Sequence, residues 1–429
     1  MHKMTDPLKR FLRHKFKVPE EKVTSNQALE WCQNFLRGAW LTITVNEMHM
    51  ERIHGGLSNY LYCCSLPDPI ELQGDEPRKV LLRIYGESHK KHRGTLLIDS
   101  VVCTLLSERK LGPHVYGIFP EGRLEEFVEA ESLLVSEIRD PKISQKIGRL
   151  LSELHQFDMP LVKEPIWLFQ TIERYLLDLP TDIYKFEIED DREIFQELRS
   201  VCNFTEEFDE LKKILATVQS PVCFTHNDFQ PGNILRLKSQ TENFTVIDFE
   251  YCSYNYRGFD IGNHFCEFMF DYKSSKEWPF FNVDFALYPN KTQQINFLSS
   301  YVDVMISSTE NSSVLQTNGT TNETLSSIDN SNNNNREELI NQLMKEANYF
   351  ALASHFFWAL WSINMATSTT IKFGYMEYAR TRLTAYYVTR NLLLDNNEIP
   401  PCLNEDVLRS EKNPFKNSYI TIDNEEKSD

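Results

Sequence analysis

Three side chains in this 429-residue sequence have types and spacing suited to chemistry on a phosphate. The run Phe224-Thr225-His226-Asn227-Asp228-Phe229-Gln230-Pro231-Gly232-Asn233-Ile234-Leu235 sets Asp228 five residues before Asn233, and Asp248 follows fifteen residues later, after the apolar run Phe244–Ile247. A carboxylate at the first position can accept the proton of a substrate hydroxyl. An amide oxygen and a second carboxylate offer Mg²⁺ the few protein oxygens it prefers, leaving the rest of its shell to water and phosphate. Together they form a donor set for phosphoryl transfer, where catalysis is mostly positioning and charge neutralisation. Asp228 alone would be an ordinary turn residue, so the inference rests on the spacing. His226 is assigned the structural task of organising the loop by hydrogen bonds.

Asp-to-Asn at this separation, followed by an Asp at a strand end, is the catalytic-loop order of kinases. A nucleotide then needs a grip further upstream. Gly55, Gly56, Leu57, Ser58 and Asn59 lie between strand-like runs where a phosphate-covering loop belongs, and glycines let backbone N–H groups approach phosphate oxygens. On the strand Val80–Tyr85 the cation is Arg83, whose planar guanidinium can clamp phosphate in two places. Asp99, on the following helix, is the nearest acidic residue placed to hold it. Glu250 follows Phe249 where protein kinases have Gly, and neither a long activation segment nor an Ala-Pro-Glu run precedes Gly258. A small acceptor molecule is therefore expected.

The elements that must hold these groups divide into two lobes, since 429 residues exceed what a single core serves, at roughly 100–150 residues per domain. Residues 1–128 read as a nucleotide-binding lobe: helices over Lys9–Lys17 and Ala28–Arg37, the latter capped by Asn26, then strands at Leu41–Val45, Tyr60–Ser65 and Val80–Tyr85. A helix over Thr95–Arg109 ends at Leu111-Gly112-Pro113, followed by strands at Val115–Phe119 and Glu125–Val128. Residues 129–429 read as a mainly helical lobe carrying catalysis and acceptor binding. Ser307 to Asn335, rich in Ser, Thr and Asn, is expected to be a disordered insert, and the polar tail after Asn404 to be loosely held.

Composition narrows the function classes. A formal charge of −17 argues against a nucleic-acid surface, which needs a basic stripe. Nine scattered cysteines without a Cys-x-x-Cys pair signal neither a zinc site nor a disulfide framework. The first 22 residues contain no apolar stretch of the secretory kind, so a cytoplasmic location is expected and the Asn-x-Ser/Thr triplets at Asn311, Asn318 and Asn322 carry no weight. Tyr349–Ala366 is apolar but holds Ser354, His355, Ser362 and Asn364, which favours a buried helix over a membrane span.

With these residues assembled, the chain resembles the choline/ethanolamine kinase family, relatives of the aminoglycoside phosphotransferases. The resemblance rests on Val222–Leu235, on the run from Val246 through Asp248, Glu250, Arg257, Asp260 and Asn263 to Glu267, and on Gly55–Asn59, Leu81–Gly86, Leu111–Phe127 and Ala353–Tyr378. It covers about residues 30 to 395, without the Asn-rich insert. It implies an α+β, two-lobed protein-kinase-like fold, ATP and Mg²⁺ as cofactors, Gln230 near the nucleotide, and Glu126, Phe127 and Val128 as an adenine hinge. It also implies a homodimer and, from Asp228-Phe229-Gln230-Pro231-Gly232-Asn233, the choline branch, although Phe229 and Pro231 depart from the residues expected there. Ethanolamine kinase activity and a non-catalytic scaffold remain the alternatives.

The aromatic content fits a quaternary ammonium acceptor. Such a cation donates no N–H hydrogen bond, so a site must hold it on ring faces and near carboxylates, at ~0.5–2 kcal/mol per cation–π contact. Trp358 and Trp361 are i, i+3 neighbours on one helix face; Phe373, Tyr375 and Tyr378 follow, and Tyr251, Glu267 and Tyr272 come just after Asp248. The resemblance implies that the Trp, Tyr and Glu positions among them form the choline pocket.

Overall fold

A computed structural model of the chain describes residues 23–53, 59–86, 93–109, 111–238, 243–314, 328–369, 371–396, 405–411 and 413–416. Its first core forms on one face of an antiparallel sheet. The strands are β1 (His49–Ile53), β2 (Asn59–Ser65), β3 (Lys79–Tyr85), β4 (Val115–Phe119) and β5 (Gly122–Glu126), in the order β1-β2-β3-β5-β4. Tyr60, Tyr62 and Cys64 alternate inward on β2, and Val80, Leu82 and Ile84 on β3. These side chains pack with Ala28, Leu29 and Cys32 of helix α1 (Ser25–Phe35) and with Trp40. Helix α2 (Arg93–Glu108) covers the other face, and its Val102, Cys103 and Leu106 join a second, larger core.

That second core belongs mostly to the helices: α3 (Val135–Ile138), α4 (Pro141–His155), α5 (Ile166–Asp178), α6 (Glu189–Val201), α7 (Phe204–Leu215), α8 (Arg257–Cys266), α9 (Lys291–Val314), α10 (Ile328–Ser368) and α11 (Tyr375–Asn396). Between them run small antiparallel sheets: β6 (Ala130–Ser132), β8 (Ile234–Leu237) and β9 (Phe244–Val246) form one, β7 (Val222–Thr225) and β10 (Ser253–Tyr256) another, β11 (Phe270–Asp271) and β12 (Asn282–Val283) a third. Helices α8, α10 and α11 stack at the centre. The α8–α10 approach is backbone on backbone, because a Cβ on Gly262 would stand 2.5 Å from the carbonyl oxygen of Ala347. Tyr349–Ala366 lies within α10, largely buried, and no helix among the described residues is long and apolar enough to cross a membrane.

Several local expectations are corrected. The cap of α1 is Thr24, not Asn26: its extended backbone lets Oγ1 accept from Gln27 N, while Gln27 Oε1 accepts from Thr24 N at 3.1 Å, and Asn26 falls inside the helix. Leu41–Val45 is not a strand. A 3₁₀ turn over Gly38–Leu41 runs into a loop in which Glu47 Oε2 accepts from Thr44 N, and the sheet edge is taken by β1 instead. Helix α9 runs to Val314 and α10 begins at Ile328, within the span expected to be a disordered insert; 315–327 lie outside the described residues. The tail is also anchored as far as residue 416. Helix α12 (Glu405–Leu408) buries Leu408, and Phe415, 1% exposed, packs near Tyr387 as Asn413 ties the turn to Leu408 O. The Lys9–Lys17 helix falls outside the described residues.

Candidate active site

The loop between β7 and β8 carries Asp228, and its backbone is held from below. Asp260 on α8 accepts from His226 N at 2.6 Å and Asn227 N at 2.8 Å, and its Oδ2 also meets His155 Nε2 at 3.1 Å. Asn227 sits at φ 65°, a left-handed conformation that costs a non-glycine residue about 1–3 kcal/mol. Its side chain offsets that by donating to Tyr251 O and Ser253 Oγ and accepting from Thr225 Oγ1 and Asn255 Nδ2. His226 takes the structural role expected of it: Nε2 meets Ile247 O at 3.0 Å and Nδ1 accepts from Asp228 N. Burial keeps this imidazole below its usual pKa and hence neutral.

Asn233 Nδ2 donates to Asp228 Oδ2 at 2.8 Å and to Asp228 O at 2.9 Å, which turns its amide oxygen away from that carboxylate. The Asn233 carbonyl accepts from Ile247 N, so Asp248 stands beside it across β8 and β9. Asp248 is itself at φ 69°. Desolvation pushes Asp248 up to about 6, against the pull of Arg83, with Glu250 adding to the rise. Asp228 is raised well above the usual carboxylate range, first by burial and then by Glu267, Asp248 and Glu250. Such a concentration of buried carboxylates requires a cation to ionise fully.

The structure corrects the partner of Arg83. Across the sheet Arg83 lies opposite Arg123, a like-charge juxtaposition that Glu125 resolves by accepting from Arg83 Nε at 3.0 Å and from Arg123 Nε. Arg123 Nη1 in turn holds Asp99, and Arg83 Nη1 reaches Asp248 at 3.0 Å. Asp99 on α2 serves Arg123 instead. The result is an alternating chain that runs from the buried Asp99 through Arg123, Glu125 and Arg83 to the half-buried Asp248. Burial alone would raise Glu125, but the two guanidinium groups hold it down at about 2.

Of the expected nucleotide loop, Gly55, Gly56, Leu57 and Ser58 lie outside the described residues. Asn59 is described and buried; its Nδ2 donates to Glu250 Oε2 at 2.7 Å and its Oδ1 accepts from Gly86 N. Glu126 ends β5 with its side chain accepting from His114 N, and Phe127 and Val128 follow the strand rather than extending it. Gln230 N is bonded to Asp228 O, and its side chain folds over Gly232.

All the expected acceptor residues come together. Trp358 and Trp361 meet edge to face at 5.3 Å between ring centroids; Tyr251 stands 5.5 Å from Trp358 and Tyr375 5.9 Å from Trp361. Phe373 lies 5.1 Å from Tyr375 and 5.5 Å from Tyr378, while the Tyr378 and Tyr272 hydroxyls are 2.9 Å apart. Trp358 Nε1 donates to Asn263 Oδ1, which fixes the indole. Glu267 is 3% exposed and paired with Arg382.

Glu125, Arg123, Glu250, Asp260, Asn263 and Arg382 belong to this arrangement but were not singled out as site residues from the sequence. One signal was available. Asp260, Asn263, His264 and Glu267 recur at i, i+3, i+4 and i+7, a polar stripe at helical spacing on a helix whose every residue is buried.

The comparisons with known proteins concern the chain as a whole. The family model described as choline/ethanolamine kinase matches residues 50–387. A human choline/ethanolamine kinase is 40% identical over 374 residues, 86% of this chain and 86% of that protein. Mouse choline kinase alpha is 41% identical over 393 residues, covering 86% of this chain and 81% of the mouse protein. Among solved structures, a choline kinase from Cryptosporidium parvum superposes with a TM-score of 0.66 at 26% identity, covering 88% of this chain and 98% of its own. Sequence match, superposition and the assembled loop, ion chain and aromatic box agree: the chain has a two-lobed protein-kinase-like fold and belongs to the choline/ethanolamine kinase family.

Proposed function

We propose that the protein transfers the γ-phosphate of ATP to the hydroxyl of choline, giving phosphocholine, with the reactants held between residues 1–128 and 129–429. The observation that carries this is the position of Asp228. Its carboxyl accepts from Asn233 Nδ2 at 2.8 Å and lies within electrostatic reach of Asp248 and Glu250 as well as of Glu267 in the aromatic box, which supports a role between nucleotide and acceptor. Asp228 accepts the hydroxyl proton as the oxygen attacks phosphorus. Asn233 and Asp248 fit Mg²⁺, being hard oxygen donors. Among the described residues no group of three His, Cys, Asp or Glu side chains forms a cage, which suits an ion that keeps water and phosphate in its shell. When bound, that ion would neutralise charge on the phosphate oxygens. Arg83, Asn59 and the loop Gly55–Ser58 grip the phosphates, the segment Glu126–Val128 meets the base, and Gln230 lies near the nucleotide. Trp358, Trp361, Tyr251, Tyr272, Phe373, Tyr375 and Tyr378 surround the ammonium, with Glu267 balancing its charge.

Ethanolamine is a second acceptor supported by a specific observation: Glu267 Oε2 is buried and has no hydrogen-bond partner among the described residues, so it can accept from a primary ammonium. The human relative carries both acceptors in its name. An acceptor screen with choline, ethanolamine and the methylated intermediates, using labelled ATP and Mg²⁺, tests both readings. Absence of phosphate transfer to every one of these alcohols would overturn the proposal.

A further inference from the structure

Arg382 is fully buried on α11, one turn beyond Tyr378. Its Nε donates to the Tyr378 hydroxyl at 2.8 Å, and its Nη2 reaches Glu267 Oε1, the same Tyr378 hydroxyl and, at 3.4 Å, the Tyr272 hydroxyl. Nη1 lies 3.4 Å from His355 Nδ1, and the guanidinium carbon stands 4.0 Å from the centre of the Phe270 ring. One planar fork thus touches three polar groups of the acceptor box at once.

We propose that Arg382 is a positioning residue that sets both the orientation and the charge of the acceptor box; the proposal rests on the functional reading above. Glu267 is the only carboxylate paired with Arg382 in the described structure, and the pair divides the two oxygens of that carboxylate. Oε1 is neutralised and pinned by the guanidinium, while Oε2 stays without a partner among the described residues. A substrate ammonium therefore meets half a carboxylate, fixed in direction, rather than a freely rotating anion. A quaternary head gains only charge attraction there, whereas a primary one also gains a hydrogen bond. By pinning Oε1 and so fixing where Oε2 lies, Arg382 governs discrimination between the two. Lysine could supply the charge but not the fork, since its single ammonium cannot span Glu267 and both tyrosines in fixed geometry.

The test uses the full chain with Arg382→Lys and Arg382→Gln. Steady-state kinetics are read separately for choline, ethanolamine and ATP, alongside tryptophan-fluorescence titration with choline alone. The lysine variant is expected to raise the choline KM about tenfold, the equivalent of one charge-assisted hydrogen bond, and the ethanolamine KM further, with the ATP KM within about twofold. The glutamine variant should exceed both acceptor effects. A stability role alone would lower the unfolding temperature without separating acceptor from ATP. If the glutamine variant does not fold, the lysine variant, which retains the buried cation, decides. Acceptor and ATP constants that move together, or a lysine variant with unchanged acceptor binding, would overturn the assignment while leaving the function intact. A wild-type protein that neither binds nor phosphorylates choline or ethanolamine would overturn the functional reading, and this assignment with it.

Discussion

Replacing Asp260 by Asn tests the claim that α8 sets the catalytic loop. The carboxylate accepts one backbone N–H on each oxygen, from His226 at 2.6 Å and Asn227 at 2.8 Å, in a position with no solvent exposure. An Asn of the same shape offers one acceptor oxygen and one NH₂ group, so one of the two amide hydrogens must face a donor. The loss combines a charge-assisted bond of about 1.5–3 kcal/mol with an unsatisfied buried N–H of about 1–3 kcal/mol. A net destabilisation of about 3–5 kcal/mol follows, beyond the ordinary range for single substitutions. Asn227 also loses part of what holds it at φ 65°, directly before Asp228. A shift of ~1 Å there would lower kcat by roughly 100-fold. Urea unfolding followed by circular dichroism reads the first effect and saturating kinetics the second. A variant destabilised by less than about 1 kcal/mol with near-normal kcat would refute the reasoning.

Asp228→Asn is expected to lower kcat by roughly 10²–10⁴ with a small effect on acceptor KM, while raising the thermal stability of the nucleotide-free protein by removing a buried charge from among three other carboxylates; a simultaneous fall in stability and unchanged kcat would count against it. Asp228 and Asp248 both have folded pKa values raised above their unfolded ones, so their contribution to stability is present at low pH and is lost as pH rises through the folded values, about 6 for Asp248. Mg²⁺ with nucleotide should therefore raise the unfolding temperature more above pH 6 than below it, as read by scanning fluorimetry; an equal rise at both would contradict the carboxylate assignment. Trp358→Leu should raise the choline KM roughly 2- to 30-fold and leave the ATP KM unchanged, as measured by initial rates.

What could be read from the sequence was local or periodic. The Asp228, Asn233 and Asp248 set was legible because one loop and one strand carry all three, and β2 and β3 because their runs of seven residues are long enough to define a face. Leu41–Val45 shows why alternation alone fails: five residues can mimic a strand, but a strand also needs a neighbour, and β1 occupies that edge. The partner of Arg83 was hidden because it is set by sheet register. Glu125 lies 42 residues away on β5, and only the β3–β5 pairing makes it adjacent. Arg382 was hidden for a related reason: its neighbours Glu267 and Tyr272 come from segments more than 100 residues earlier.

The chain from Asp99 to Asp248 bears on how mutagenesis of this protein is interpreted. Its five members alternate in sign and are linked end to end, so deleting one removes a partner from each of its neighbours and leaves an end member unpaired when that neighbour is Asp99 or Asp248. An alanine at Arg83 would read as lost phosphate grip, yet part of the deficit would come from a Glu125 left to Arg123 alone and a released Asp248. Alanine scanning would overstate every member's direct part in the reaction, and the overstatement would be greatest at the centre. Only paired replacements, such as Arg123 with Asp99, can separate a direct role in the reaction from support of the neighbouring charges.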